Sequence, residues 1–166
     1  MILASEILNK KVYASDTESE VGRIAEIIVD PENGRVVAFS IARFLEKSKV
    51  VAETDVLEVK KDGVFVTSEN AITAPSEIIR VKEIIDKGIK ILKSKAVTES
   101  KKVLGKIEDF LIETETASVV KFYVRGGLLS PSLILPSEKV VRIEKGRIIF
   151  SDDVLERKEI KEPAVA

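Results

Sequence analysis

Apolar and polar residues alternate with a period of two through much of this chain. After Asn33 and Gly34, the residues Val37, Phe39 and Ile41 fall on one side and Val36, Ala38 and Ser40 on the other, the spacing of a strand with one buried face. The run before them is apolar on both sides, with Ile24 and Ile28 facing one way and Ala25, Ile27 and Val29 the other. A strand of that kind needs cover on both faces, from the interior of a barrel and from a helix, a second copy or a partner. Asn33-Gly34, following Pro31, predicts a two-residue hairpin turn with positive φ angles. Residues 11–14 predict a strand ahead of this hairpin. Residues 50–52, 56–59 and 64–66 predict three short ones after it, the last two joined through Asp62-Gly63.

The same pattern then returns. Adding 83 to Gly22 gives Gly105, and the register continues through Ile24 and Ile107, Val36 and Val119, Val37 and Val120, Phe39 and Phe122. Leu133-Ile134-Leu135, Val140-Val141-Arg142-Ile143, Lys145-Gly146 and Ile148-Ile149-Phe150 repeat the short strands. The chain is an internal duplication of a small β unit. A glycine at the entrance of a strand marks a bulge or a close backbone approach, so Gly22 and Gly105 predict the same bend in both copies. Between the copies, residues 75–87 switch to helical spacing. Ile78, Val81 and Ile85 share a face, Thr73 or Ser76 is placed to cap the start, and Lys87 and Gly88 are placed to close the end. Near the start, residues 3–8 predict one helical turn. The expected organisation is a first barrel over residues 1–72, a linker helix over 73–88, a second barrel over 89–154 and a flexible tail over 155–166.

Composition narrows the chemistry. Among 166 residues there is no Cys and no His, which removes disulfides, thiolate metal sites and the commonest general base. Lys and Arg number 27 against 28 Asp and Glu, so no global field draws in nucleic acid or an anionic membrane, although a local patch stays open. Trp and Gln are also absent while Lys, Glu, Ile and Val abound, a mix that resembles proteins of hot-living organisms. No run approaches the ~20 apolar residues of a membrane span and the start lacks a signal-peptide pattern, so a cytoplasmic location is expected. No cofactor or metal is expected.

Four groups of residues invite a functional reading. Asp30, Glu32 and Asn33 have the donor types of a cation site, but a solvated turn uses the same residues for backbone reasons. Glu26 and Asp109 are matched acids on apolar faces; no nucleophile accompanies them, which favours an exposed rim or a bond to a Lys. Lys93, Lys95, Lys101, Lys102 and Lys106 form a basic stretch interrupted by Glu99 and lacking aromatics, which favours a solvated face over a nucleic-acid site. The most informative difference between the copies is Gly126-Gly127-Leu128-Leu129-Ser130-Pro131-Ser132-Leu133, whose counterpart at residues 43–49 is charged. An apolar tip needs burial, either on the protein's own first copy or linker helix, or on a partner. Leu128, Leu129, Pro131 and Leu133 are therefore the candidate partner or oligomer interface.

Residues 4–13, followed by Glu20-Val21-Gly22-Arg23-Ile24, resemble the opening of the PRC-barrel family, and Leu133-Ile134-Leu135-Pro136-Ser137-Glu138-Lys139-Val140 resembles its later signature. The family is named for the photosynthetic reaction-centre H subunit and occurs in ribosome maturation factors and many short archaeal proteins. Copy one departs from it at Glu53, where copy two has Pro136, and copy two departs at Ala117-Ser118, where copy one has Gly34-Arg35. The resemblance implies a mainly β fold of two small antiparallel PRC-type β-barrels in tandem, and a non-catalytic scaffold. It further implies an archaeal cell-division component acting with the FtsZ ring and its SepF-type membrane anchor, or binding other PRC-barrel proteins. The alternative is a ribosome maturation or RNA-processing factor.

Overall fold

The structure is a computed structural model that describes residues 1–156; most of the expected tail, from residue 157 on, lies outside the described residues. In chain order the elements are β1 (Ile2–Leu3), α1 (Ala4–Ile7), β2 (Lys11–Ala14), β3 (Ser19–Val29), β4 (Val36–Ala42), β5 (Lys49–Ala52), β6 (Val56–Val59), β7 (Val64–Val66) and β8 (Ile72–Thr73). Helix α2 (Ile79–Asp86) follows, and then β9 (Lys95–Thr98), β10 (Val103–Glu113), β11 (Ser118–Arg125), β12 (Leu133–Pro136), β13 (Val140–Glu144) and β14 (Arg147–Phe150).

Two sheets curl into half-barrels with matching strand orders, β6-β7-β2-β3-β4-β5-β8 and β13-β14-β9-β10-β11-β12. One pairing in each departs from the expected antiparallel pattern, since β2 runs parallel to β7 and β9 parallel to β14. The halves clasp each other. Strand β1, which the sequence does not reveal, pairs with β10 of the second sheet through Ile2 with Ile112 and Leu3 with Leu111. The β3–β4 and β10–β11 hairpins meet head to head at their turns, where Val36 N donates to Ala117 O (2.7 Å) and Val119 N donates to Gly34 O (2.9 Å). One buried cluster runs through both halves, joining Ile7, Ile24 and Phe39 to Phe110, Phe122 and Phe150.

Bulges revise the face assignments. Register shifts between Ile24 and Glu26 and between Ile28 and Val29 break the simple alternation of β3. Ile24 and Val29 consequently point into the shared core, while Ile28 joins Ala38 and Val50 on the opposite face. Helix α2 covers that outer face with Val81 and Ile84. The expected stripe is thus shifted: Ile84 is buried and Ile85 is 40% exposed. The helix is also shorter than expected, because Pro75–Glu77 forms a separate 3₁₀ turn and no side chain caps the start at Ile78. Its far end closes with a Schellman pair of hydrogen bonds, Gly88 N to Ile85 O and Ile89 N to Ile84 O.

Candidate interaction surfaces

The hairpin connection at the centre of the molecule is longer than the two-residue turn expected. Strand β3 ends at Val29 and β4 starts at Val36, and only Gly34 within the connection has positive φ (+69°); Asn33 does not. Asp30 explains the difference. Its Oδ1 accepts from Glu32 N (2.9 Å), Asn33 Oδ1 accepts from Arg35 N (3.0 Å), and Gly34 N donates to Asp30 O (2.9 Å), so side chains close a wider turn.

Asp30 is not solvated. It is 6% exposed and takes a bidentate pair from Arg80 of α2, with Nε to Oδ2 at 2.9 Å and Nη2 to Oδ1 at 2.6 Å. Glu32 also reaches Arg80, at 3.4 Å, while Asn33 is exposed. The trio thus fastens the linker helix to the first sheet, and among the described residues no group of three or more acidic side chains is placed to hold a metal ion. The guanidinium holds the Asp30 carboxyl below its ordinary value of 3.8, burial opposes this, and the Glu32 amide reinforces it. A depressed folded value means the unfolded chain takes up the proton first, so this stabilisation is present above pH 3.8 and is lost as pH falls through the folded value. In Asp30→Asn the thermal midpoint should be lower than wild type at neutral pH and should fall less steeply between about pH 5 and pH 2. Parallel acid slopes in a calorimetric titration would remove Asp30 from the acid response.

Glu26 and Asp109 each bind the entry segment of the opposite half. Lys90 Nζ lies 2.5 Å from Glu26 Oε1, while Ser5 N and Oγ donate to Asp109 at 3.1 and 2.5 Å. They are clasps between the halves, set apart from one another. Gly22 and Gly105 lie in β3 and β10 with φ of +142° and +145°. A Cβ on Gly22 would stand 2.6 Å from Ala42 O, and one on Gly105 2.1 Å from Arg125 O.

Residues 1–71 match the family model described as the PRC-barrel domain. The chain carries a PRC-barrel domain. No curated protein matches it. PRC-barrel domains are generally non-catalytic modules that mediate protein interactions, so the surfaces are where function is to be sought. The second half repeats the strand order of the PRC-barrel half and its paired long strands. No helix among the described residues is long and apolar enough to cross a membrane.

The apolar tip is not buried within the protein. Leu128 and Leu129 are fully exposed, Pro131 is exposed and Leu133 is half-buried. The counterpart loop, expected to be charged, presents Phe44 and Leu45 at 90% exposure each. Phe44-Leu45 lies between β4 and β5 and Leu128-Leu129 between β11 and β12. The second loop is one residue longer, so both halves carry an apolar pair in the corresponding loop, 84 residues apart where the strands before it repeat at 83. The neighbouring Arg43, Glu46, Lys47 and Lys49 hide this in the sequence. Because β4 and β11 both start at the central contact and run outward, the two tips stand at opposite ends of the molecule. Clefts also repeat. One of about 760 Å³ is lined by Phe39, Val56, Leu57 and Ala117, and one of about 270 Å³ by their equivalents Phe122, Val140, Val141 and Gly34.

The basic stretch divides. Lys101 and Lys102 sit in the β9–β10 turn, whereas Lys95 and Lys106 face each other across β9 and β10 at the opposite end of that hairpin, with Lys93 just before β9.

Proposed function

We propose that the chain is a non-catalytic scaffold that holds other proteins together, built from modules at 1–72 and 89–154 linked by 73–88. Within that class we assign it to the archaeal division machinery, acting with the FtsZ ring and its SepF-type anchor at the membrane. The observation that carries the scaffold is the pair of fully exposed apolar tips at opposite ends of one body. Exposed apolar pairs are unfavourable in water and mark contact surfaces. Two of them, pointing apart, suit a bridge. The Phe44–Leu45 end is the protein-binding end, where Arg43 is already engaged with Glu46 (3.4 Å) and with the Val21 carbonyl (2.5 Å). Leu128, Leu129, Pro131 and Leu133 form the second contact surface.

Purified ring GTPase and anchor, mixed with the full chain in a pull-down, test this. The expected result is a complex that Phe44→Asp with Leu45→Asp weakens by about tenfold or more, as loss of an apolar anchor does. Absence of a complex would remove the division assignment, and a complex indifferent to these changes would remove the tip.

A further inference from the structure

The two ends of the molecule differ in charge in a way the shared fold does not require. In the second half, register places Arg147 beside Lys95, Lys95 beside Lys106, and Lys106 beside Arg125. These four cations form one exposed row across β14, β9, β10 and β11, on strands about 4.8 Å apart. Lys93 and Lys145 are exposed at the same rim, since Lys93 N donates to Ile107 O and Lys95 N donates to Gly146 O. The row's ends are paired, Arg125 with Glu108 at 2.7 Å and Arg147 with Glu144 at 2.8 Å. Lys95 and Lys106, directly opposed at its centre, have no ion pair among the described residues. Like charges facing each other across a sheet are unfavourable, so the fold gains nothing from them.

The first half is the control. At the rungs of Arg147 and Arg125 it has Gly63 and Ala42, and at the position of Lys93 it has Asn9. Its remaining rim cations are mostly occupied: Lys11 pairs with Glu20 at 3.2 Å, Lys60 pairs with Glu58 at 3.1 Å, Lys10 donates to the Lys60 and Lys61 carbonyls at 2.7 and 2.8 Å, and Arg23 donates to the Asn9 carbonyl at 3.0 Å. This leaves Lys61, the counterpart of Lys145, without an ion pair among the described residues. Only the second half therefore joins a directly opposed, unpaired pair of lysines to an apolar tip, because Lys106 lies beside Arg125, which leads directly through Gly126 and Gly127 into Leu128 and Leu129.

The geometry points to an anionic lipid bilayer as the occupant of this end, with Leu128 and Leu129 entering the acyl boundary and the row lying against the headgroups. A rigid partner would need its own pocket for a tip that stands free in solvent, whereas fluid acyl chains accept a convex apolar loop. Cations at the rim meet anionic headgroups by charge complementarity. This inference rests on the tips being docking surfaces, and it gives the scaffold one protein end and one membrane end.

Co-sedimentation of the full chain with vesicles tests it. The wild type should sediment with phosphatidylcholine vesicles containing about one third phosphatidylglycerol, not with phosphatidylcholine alone, and should be released in about 1 M salt. Leu128→Ser with Leu129→Ser, and separately Lys95→Glu with Lys106→Glu, should each lower the bound fraction about tenfold. Lys101→Glu with Lys102→Glu, at the far turn, should not, and all variants should keep the wild-type melting curve. Failure of the wild type to sediment, or equal sedimentation of the tip variant, would overturn the inference. So would retention by polyglutamate or single-stranded RNA in place of vesicles. The vesicles contain no protein, so failure here beside an intact pull-down discards the lipid assignment alone.

Discussion

Gly105→Ala should destabilise the protein by about 3–5 kcal/mol, while Gly34→Ala should cost about 1 kcal/mol or less. At Gly105 two effects add. The backbone φ of +145° lies in a region that only glycine occupies easily, worth about 1–3 kcal/mol, and the new methyl would meet the Arg125 carbonyl oxygen at 2.1 Å. Strand β11 cannot yield there without breaking its pairing with β10, so overpacking adds about 1–3 kcal/mol. Gly34 has φ of +69° but open space around the missing Cβ. Its counterpart is Ala117, which already holds φ of +53° in the second half. Chemical denaturation of the two variants side by side measures the contrast. Equal losses would show that the close approach at Gly105 does not constrain the fold.

Phe122→Ala should destabilise both halves together, by about 3–5 kcal/mol, in a single unfolding transition. Phe122 is 2% exposed and meets Phe150 edge to face with centroids 5.6 Å apart. The cavity would open in a cluster that also contains Ile7, Val36 and Phe39 of the first half. Amide exchange in β4 should therefore rise along with exchange in β11. Two separate transitions, with β4 still protected, would mean that the halves fold independently.

Residue patterns disclose the duplicated strand plan because each strand's alternation and each turn's chemistry are local. The repeat offset, the bends at Gly22 and Gly105 and the linker helix all lie within reach of such signals. What escapes is set by tertiary contact. Strand β1 exists only because β10 offers it an edge, and its two residues carry no period of their own. Bulges at Ala25 and near Val29 separate Ile28 from Ile24 and set it on the helix face, which strict alternation cannot anticipate. Asp30 reads as a turn residue because its partner, Arg80, lies 50 residues away. The apolar pair Phe44–Leu45 is masked by flanking charges, and the strand offset of 83 sets Phe44 against Gly127 and Glu46 against Leu129, so a one-residue difference in loop length hides the match. The cation row is invisible in order along the chain, since its members come from four strands.

In the proposed function the molecule works through its ends, not through its cleft. A photo-crosslinking side chain placed at Phe44, and separately at Leu57, tests this most directly in the native cell. Leu57 is 60% exposed and lines the 760 Å³ cleft, so both probes are accessible. The Phe44 probe should capture a protein and the Leu57 probe should capture none. Capture from Leu57 with nothing from Phe44 would contradict the account.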